Sequence, residues 1–168
     1  MKNQTKKIAF LGLFTTVALV LSYVEAILPP IYQAIPGVKV GLPNIIVIFL
    51  LYKCGIKEAI TVSIIRVAVV SMLFGNPMTF LYSVAGATLS LLVMIILKKT
   101  NLFSTVGVSI AGGVFHNLGQ ILVAMFLLNS TQIGYYMIVL AITGTLAGVF
   151  VGLAGSFLVK RFEKVKIQ

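Results

Sequence analysis

The sequence predicts an all-α integral membrane protein built as a bundle of six transmembrane helices. Three observations carry that prediction. Of 168 residues, 60% are hydrophobic and only 10% charged, against roughly 25% charged in a soluble domain, and the mean hydropathy is +1.12. The apolar residues fall into six runs divided by polar breaks. The basic residues are confined almost entirely to alternate breaks, the charge pattern of an inserted bundle rather than of a nucleic-acid surface. The length predicts one domain, 1–168, and no nucleic-acid partner is expected; the lipid bilayer is.

The runs cover 8–28, 43–53, 57–74, 78–97, 103–128 and 132–159. A bilayer-crossing helix takes about 20 mainly apolar residues, and the first, fourth, fifth and sixth meet that requirement outright. The first follows Lys2, Lys6 and Lys7, as a secretory leader does, but its apolar stretch outlasts the apolar core of such a leader and ends in Glu25 and a double proline, so it reads as an uncleaved helix. The second is short, with Pro36, Gly37, Gly41 and Pro43 interrupting its approach. The third carries Arg66. Breaks at 53–57, 75–77, 98–101 and 129–131 suit tight helical hairpins. The long connection 29–42, with Tyr32, Gln33 and Lys39, reads as a lid over an outward-facing pocket.

Charge placement fixes the expected topology. Of the 13 Lys and Arg, all but Lys39 and Arg66 lie before the first run, at 53–57, at 98–101 or after the sixth, which is one side of an alternating six-helix bundle. The positive-inside rule then puts both termini in the cytoplasm of a cell membrane, and the net charge of +10 is accounted for by topology.

Several chemistries are excluded by count. The chain has no Asp and only Glu25, Glu58 and Glu163, so an Asp-rich Mg²⁺ site holding a diphosphate is absent. A single Cys54 and a single His116 rule out an intramolecular disulfide and a His-based metal cluster. The chain carries no phosphate-loop motif, so ATP hydrolysis would belong to partners. Neither enzymatic activity of its own nor a cofactor or metal is expected.

Small residues line several runs. Gly144, Gly148 and Gly152 form two overlapping GxxxG spacings with Gly155 beyond, and Gly107, Ala111, Gly112 and Gly113 mark the fifth run. Such stripes serve close helix packing or the docking of another membrane subunit. Ala85-Gly86-Ala87-Thr88 resembles a flavin-attachment sequence, but the acidic residue before it is missing, and helix packing accounts for it.

Polar side chains at membrane depth are costly and mark candidate sites. Arg66 stands nine residues beyond Lys57, roughly 13 Å along a helix and close to mid-membrane. It requires Glu25, backbone carbonyls or an anionic ligand group. Ser109, Gly113, His116 and Gln120 share one helix face with Asn117 beside it, and Thr79, Ser83, Gly86 and Ser90 share another. Asn44 and Asn76 open the second and fourth runs. Arg66, His116, Asn117, Gln120, Asn44, Asn76 and Glu25 are the candidate ligand-binding residues; interhelical hydrogen bonding is the alternative role for the amides and His116.

Taken together, Leu42-Pro-Asn44, Gly55-Ile-Lys-Glu-Ala59, Ser63-Ile-Ile-Arg66, Leu73-Phe-Gly75, Phe80-Leu-Tyr-Ser-Val-Ala-Gly86, Ser109-Ile-Ala-Gly112 and His116-Asn-Leu-Gly-Gln120 resemble the "Gx transporter" family, also labelled heptaprenyl diphosphate synthase component I. The resemblance spans nearly the whole chain. That family is similar to the substrate-binding S-components of energy-coupling-factor (ECF) transporters, six-helix proteins that capture a vitamin-like compound and dock on a transmembrane coupling subunit with two ATPases. The resemblance thus implies a small, anionic vitamin- or isoprenoid-related substrate and those partners. Family members also resemble the membrane component of Gram-positive flavin-based extracellular electron transfer, which implies a bacterial source and, alternatively, an accessory role there or in polyprenyl and menaquinone synthesis. Docking in S-components uses Ala-xxx-Ala on the first helix; the matching stretch here is Gly12-xxx-Thr16.

Overall fold

The computed structural model describes residues 2–27 and 40–165. Every apolar run becomes a helix. In chain order these are α1 (Lys2–Ile27), α2 (Asn44–Lys53), α3 (Ile56–Phe74), α4 (Pro77–Thr100), α5 (Thr105–Leu127) and α6 (Met137–Arg161). Most of the connection read as a lid, including Tyr32, Gln33 and Lys39, lies outside the described residues, as does Lys166.

Local chemistry sets the helix ends. Asn76 caps α4 reciprocally: its Oδ1 accepts the Thr79 N–H at 2.9 Å, and the Thr79 hydroxyl accepts the Asn76 N–H at 2.7 Å. Pro77 follows at the first helical position, where its missing N–H costs nothing. Asn101 ends α4 in the left-handed region at φ 57, and Ser104 caps α5 by accepting the Gly107 N–H. Gly55, at φ 131, permits the one-step turn from α2 to α3. Lys53, Lys98, Lys99, Lys160 and Arg161 occupy last turns, where cations offset the helix dipole.

Two boundaries differ from the sequence expectation. The first helix begins at Lys2 rather than near Ile8, because its lysine-bearing turns find a partner: Lys7 pairs with Glu58 at 2.5 Å. The sixth run is not one helix. A 3₁₀ stretch, Thr131–Tyr136, leads into α6, and it carries Gly134 and two β-branched residues that favour the α-helix poorly.

α2 is the axis. Its residues Ile46, Val47, Ile48, Phe49, Leu50 and Leu51 are all buried, without the exposed stripe of an outer helix. It contacts α1, α3, α5 and α6, while α3, α4, α5 and α6 succeed one another around it and α1 covers α3. One end of the bundle gathers the basic residues: besides Lys7–Glu58, Lys53 Nζ donates to the Glu163 carbonyl at 3.0 Å, and Lys98 Nζ donates to the Leu51 carbonyl and lies over the Tyr52 ring. Beneath these groups Phe10, Phe14, Phe49 and Phe162 interlock with ring centroids 4.5–6.5 Å apart and close that end.

Glycine determines how closely α5 approaches α6. A Cβ on Gly113 would stand 2.4 Å from the Gly144 carbonyl oxygen, and one on Gly148 would stand 2.6 Å from the Ile110 Cα. The stripe Gly144, Gly148 and Gly152 is therefore occupied by α5 within the chain, and Gly155 faces Ile48 of α2. Gly86 of the flavin-like tetrapeptide likewise packs on the His116 backbone.

Four segments are long and apolar enough to cross a bilayer: 4–27, 77–100, 105–127 and 131–161. The many large apolar side chains left exposed on them, such as Leu13, Leu92, Phe126 and Phe157, are what a lipid-facing surface requires. The chain is a multi-pass helical membrane protein.

Candidate functional site

The space beyond the N-terminal end of α2 is hollow. A cavity of ≈ 1010 Å³, measured to include its open mouth, is lined from all six helices. α1 supplies Ser22 and Glu25, and α3 supplies Arg66 and Ser71. α4 supplies Ser83 and Ser90. α5 supplies Ser109, His116, Asn117 and Gln120, and α6 contributes Gly144, Ala147 and Gly148. The approach to α2 adds Gly41 and Asn44.

On the cavity wall, Arg66 carries the buried polar atom that the protein does not satisfy; the other such atom among the described residues, the Tyr52 hydroxyl, lies away from the cavity. The Arg66 side chain is only half-buried overall, yet its Nε has no contact with the exterior and no hydrogen-bond partner. The two facts fit together: the helices screen the guanidinium from outside, and the cavity leaves part of it open. Glu25 is near enough for its charge to act on Arg66, but no salt bridge joins them; Lys7–Glu58 is the one salt bridge among the described residues.

Glu25 is engaged elsewhere. Its Oε1 accepts the backbone N–H of Gly41 at 2.5 Å and of Leu42 at 3.3 Å, tying the C-terminal end of α1 to the turn before α2. Gly41 is left-handed at φ 77, a conformation that glycine adopts without strain. The turn also satisfies the first amides of α2: Asn44 N–H donates to the Gly41 carbonyl, Ile45 to Leu42 and Ile46 to Pro43. The α2 dipole points at the cavity, but its amides are spent, so the guanidinium is the cavity's cationic donor.

His116 and Gln120 stand where α4 and α5 come closest. A Cβ on Gly86 would meet the His116 Cε1 and the Gln120 Cγ at 3.0 Å. Asn117 has a structural role as well as a place on the wall, because its Nδ2 donates to the Leu140 carbonyl at 2.7 Å and ties α5 to α6.

Six of the seven candidate residues, Arg66, His116, Asn117, Gln120, Asn44 and Glu25, thus converge on one cavity. Asn76 does not: it is exposed and serves as the α4 cap. Ser22 and Ser71 line the cavity as well, beyond the residues expected from the sequence. Ser22 precedes Glu25 by three residues and so shares its face, which was a readable signal. On the outside of the bundle, Gly12 is exposed with nothing within 4 Å of a would-be Cβ, and Thr16 is exposed with its hydroxyl bonded to the Gly12 carbonyl. Among the described residues there is no group of three or more His, Cys, Asp or Glu able to hold a metal ion.

Against protein-family models, residues 14–158 match the one described as heptaprenyl diphosphate synthase component I. The chain belongs to that family. The matched span contains every residue lining the cavity, from Ser22 to Val151, and Thr16, but not Gly12. Neither the curated proteins nor the solved structures yield a match.

Proposed function

We propose that this heptaprenyl diphosphate synthase component I family member is the substrate-binding membrane subunit, S-component-like, of an ECF-type uptake transporter. It crosses the membrane six times with both termini cytoplasmic, and it takes up a small anionic vitamin- or isoprenoid-related compound. The observation that carries this reading is Arg66: a cation at membrane depth, with a buried and unpartnered Nε, on the wall of a cavity lined from all six helices. The aromatic seal at the basic end supports one-sided access. The chain has no motif for hydrolysing ATP, so energy would come from a coupling subunit and ATPases, with Gly12 and Thr16 on the open face of α1 as the docking contact.

The test is Arg66→Met. An ionic hydrogen bond contributes about 1.5–3 kcal/mol, so ligand affinity should fall roughly 10- to 150-fold. The unliganded protein should be as stable as wild type or slightly more so, because an uncompensated buried cation is gone. An Arg66→Met protein that keeps its ligand at wild-type occupancy sinks the proposal.

A second reading is a non-enzymatic membrane accessory of polyprenyl or menaquinone synthesis or of flavin-based extracellular electron transfer, and the family description, which names a heptaprenyl diphosphate synthase component, favours its polyprenyl branch. Mild-detergent purification separates the two. ATPases co-eluting with the protein support transport; a prenyltransferase or flavoprotein without ATPases supports the accessory role.

A further inference from the structure

The cavity's charge and shape narrow the ligand class. Arg66 and Glu25 are the only Arg, Lys, Asp or Glu side chains on its wall among the described residues. They carry opposite charges, and no salt bridge joins them. A diphosphate group would bring two or more negative charges against a single guanidinium. The excess would remain desolvated and unpaired, the arrangement that buried ionic groups avoid most strongly.

The wall also lacks a ring-gripping surface. The chain has 11 Phe and 6 Tyr, yet none lines the cavity among the described residues. Planar ring systems are commonly held between aromatic faces. What faces inward instead is a set of serines, Ser71, Ser83 and Ser90 among them, with short aliphatic groups such as Val67 and Val70. That lining suits a compact, flexible molecule with hydrogen-bonding groups.

We infer that the ligand is a small aliphatic monoanion or zwitterion, with one carboxylate-type group on Arg66 and a donor, such as an ammonium, amide or hydroxyl, turned toward Glu25. Diphosphate esters and flavin-like rings are the classes for which the described wall offers the fewest partners. This inference rests on the cavity being a substrate site, as proposed above.

Wild-type, Arg66→Met and Glu25→Gln proteins are purified in mild detergent and incubated with a small-molecule extract of the producing cells. The retained compound is then released and fragmented by mass spectrometry. The expected compound yields no phosphate fragment and no aromatic absorbance, and Arg66→Met retains at least about tenfold less of it. In a parallel titration with inorganic pyrophosphate, Glu25→Gln binds more tightly than wild type, because one negative charge is removed from the wall. A retained diphosphate or aromatic compound that Arg66→Met loses overturns the ligand class and leaves the substrate site standing. So does pyrophosphate binding to wild type as tightly as to Glu25→Gln. Equal retention by wild type and Arg66→Met overturns the substrate site, and the ligand class with it.

Discussion

Replacing Gly113 by alanine tests the packing that shapes the cavity. The added Cβ would lie 2.4 Å from the Gly144 carbonyl oxygen, where ordinary contact begins at 3.4 Å. The obstacle is backbone, so no side chain can swing away, and α5 and α6 must separate by about 1 Å or tilt. Overpacking of this kind costs about 1–3 kcal/mol, offset by at most the ~1 kcal/mol that alanine gains over glycine in helix propensity. The same change at Gly12 meets nothing within 4 Å, so only the propensity gain of up to ~1 kcal/mol remains. Thermal unfolding of the two variants in detergent, followed by tyrosine fluorescence, should therefore move in opposite directions. Gly113→Ala should unfold lower, by up to about 12 °C, and Gly12→Ala should match or exceed wild type by up to about 4 °C. Because His116 and Asn117 sit one turn further along α5, Gly113→Ala should also lose bound ligand. If both alanine variants unfold together, α5 and α6 do not meet as closely as described.

Glu25→Ala removes the acceptor for two backbone amides and should destabilise the protein by about 2–3 kcal/mol, with Glu25→Gln much milder because an amide oxygen still accepts; equal losses would show that the latch does not matter. Burial pushes the Cys54 thiol up from its usual range, and the nearby Glu58 pushes it further. Fewer thiolates form at neutral pH, so maleimide labelling should be slower than for a free thiol and should keep accelerating at pH values where a free thiol has levelled off; a free-thiol profile would refute the burial. For topology, single cysteines are placed on a Cys54→Ser background. Lys99→Cys, in the basic end, should resist a membrane-impermeant maleimide in intact cells, while Gln132→Cys, beyond the far end of α5, should react; the reverse pattern would invert the orientation.

Much of the bundle was readable because membrane insertion writes long apolar runs and sorts charges by side. Lysines from three separate segments, Lys7, Lys53 and Lys98, meet at one end of the structure. The convergence of Arg66 with the α5 face was readable for a related reason: a polar group in an apolar helix has few places to go. Other features depend on distances between helices and were not readable. GxxxG spacing on α6 cannot say which neighbour fills it, and the structure gives it to α5. Asn117 looked like a wall residue but also ties α5 to Leu140. Asn76 shows a different limit. Asn-Pro-Met-Thr is a strong helix-start signal, and the local cap claims the side chain that the sequence assigned to the ligand.

The length of α2 explains why a cavity exists where it does. Ten residues rise roughly 15 Å, about half of a ~30 Å hydrocarbon layer. α2 fills the bundle axis only toward the basic end, where Phe49 joins the aromatic seal. Beyond Asn44 no helix continues along the axis among the described residues, and polar side chains from α1, α3, α4 and α5 face the vacated volume. The non-helical turn at 41–43 is tolerable at that depth because its amides are answered by Glu25 and its carbonyls by the first amides of α2. Gly41 and Pro43 thus do more than interrupt a helix. By stopping α2 short they leave Arg66 facing open space, and the cation carried within a helical run becomes the group available to a ligand.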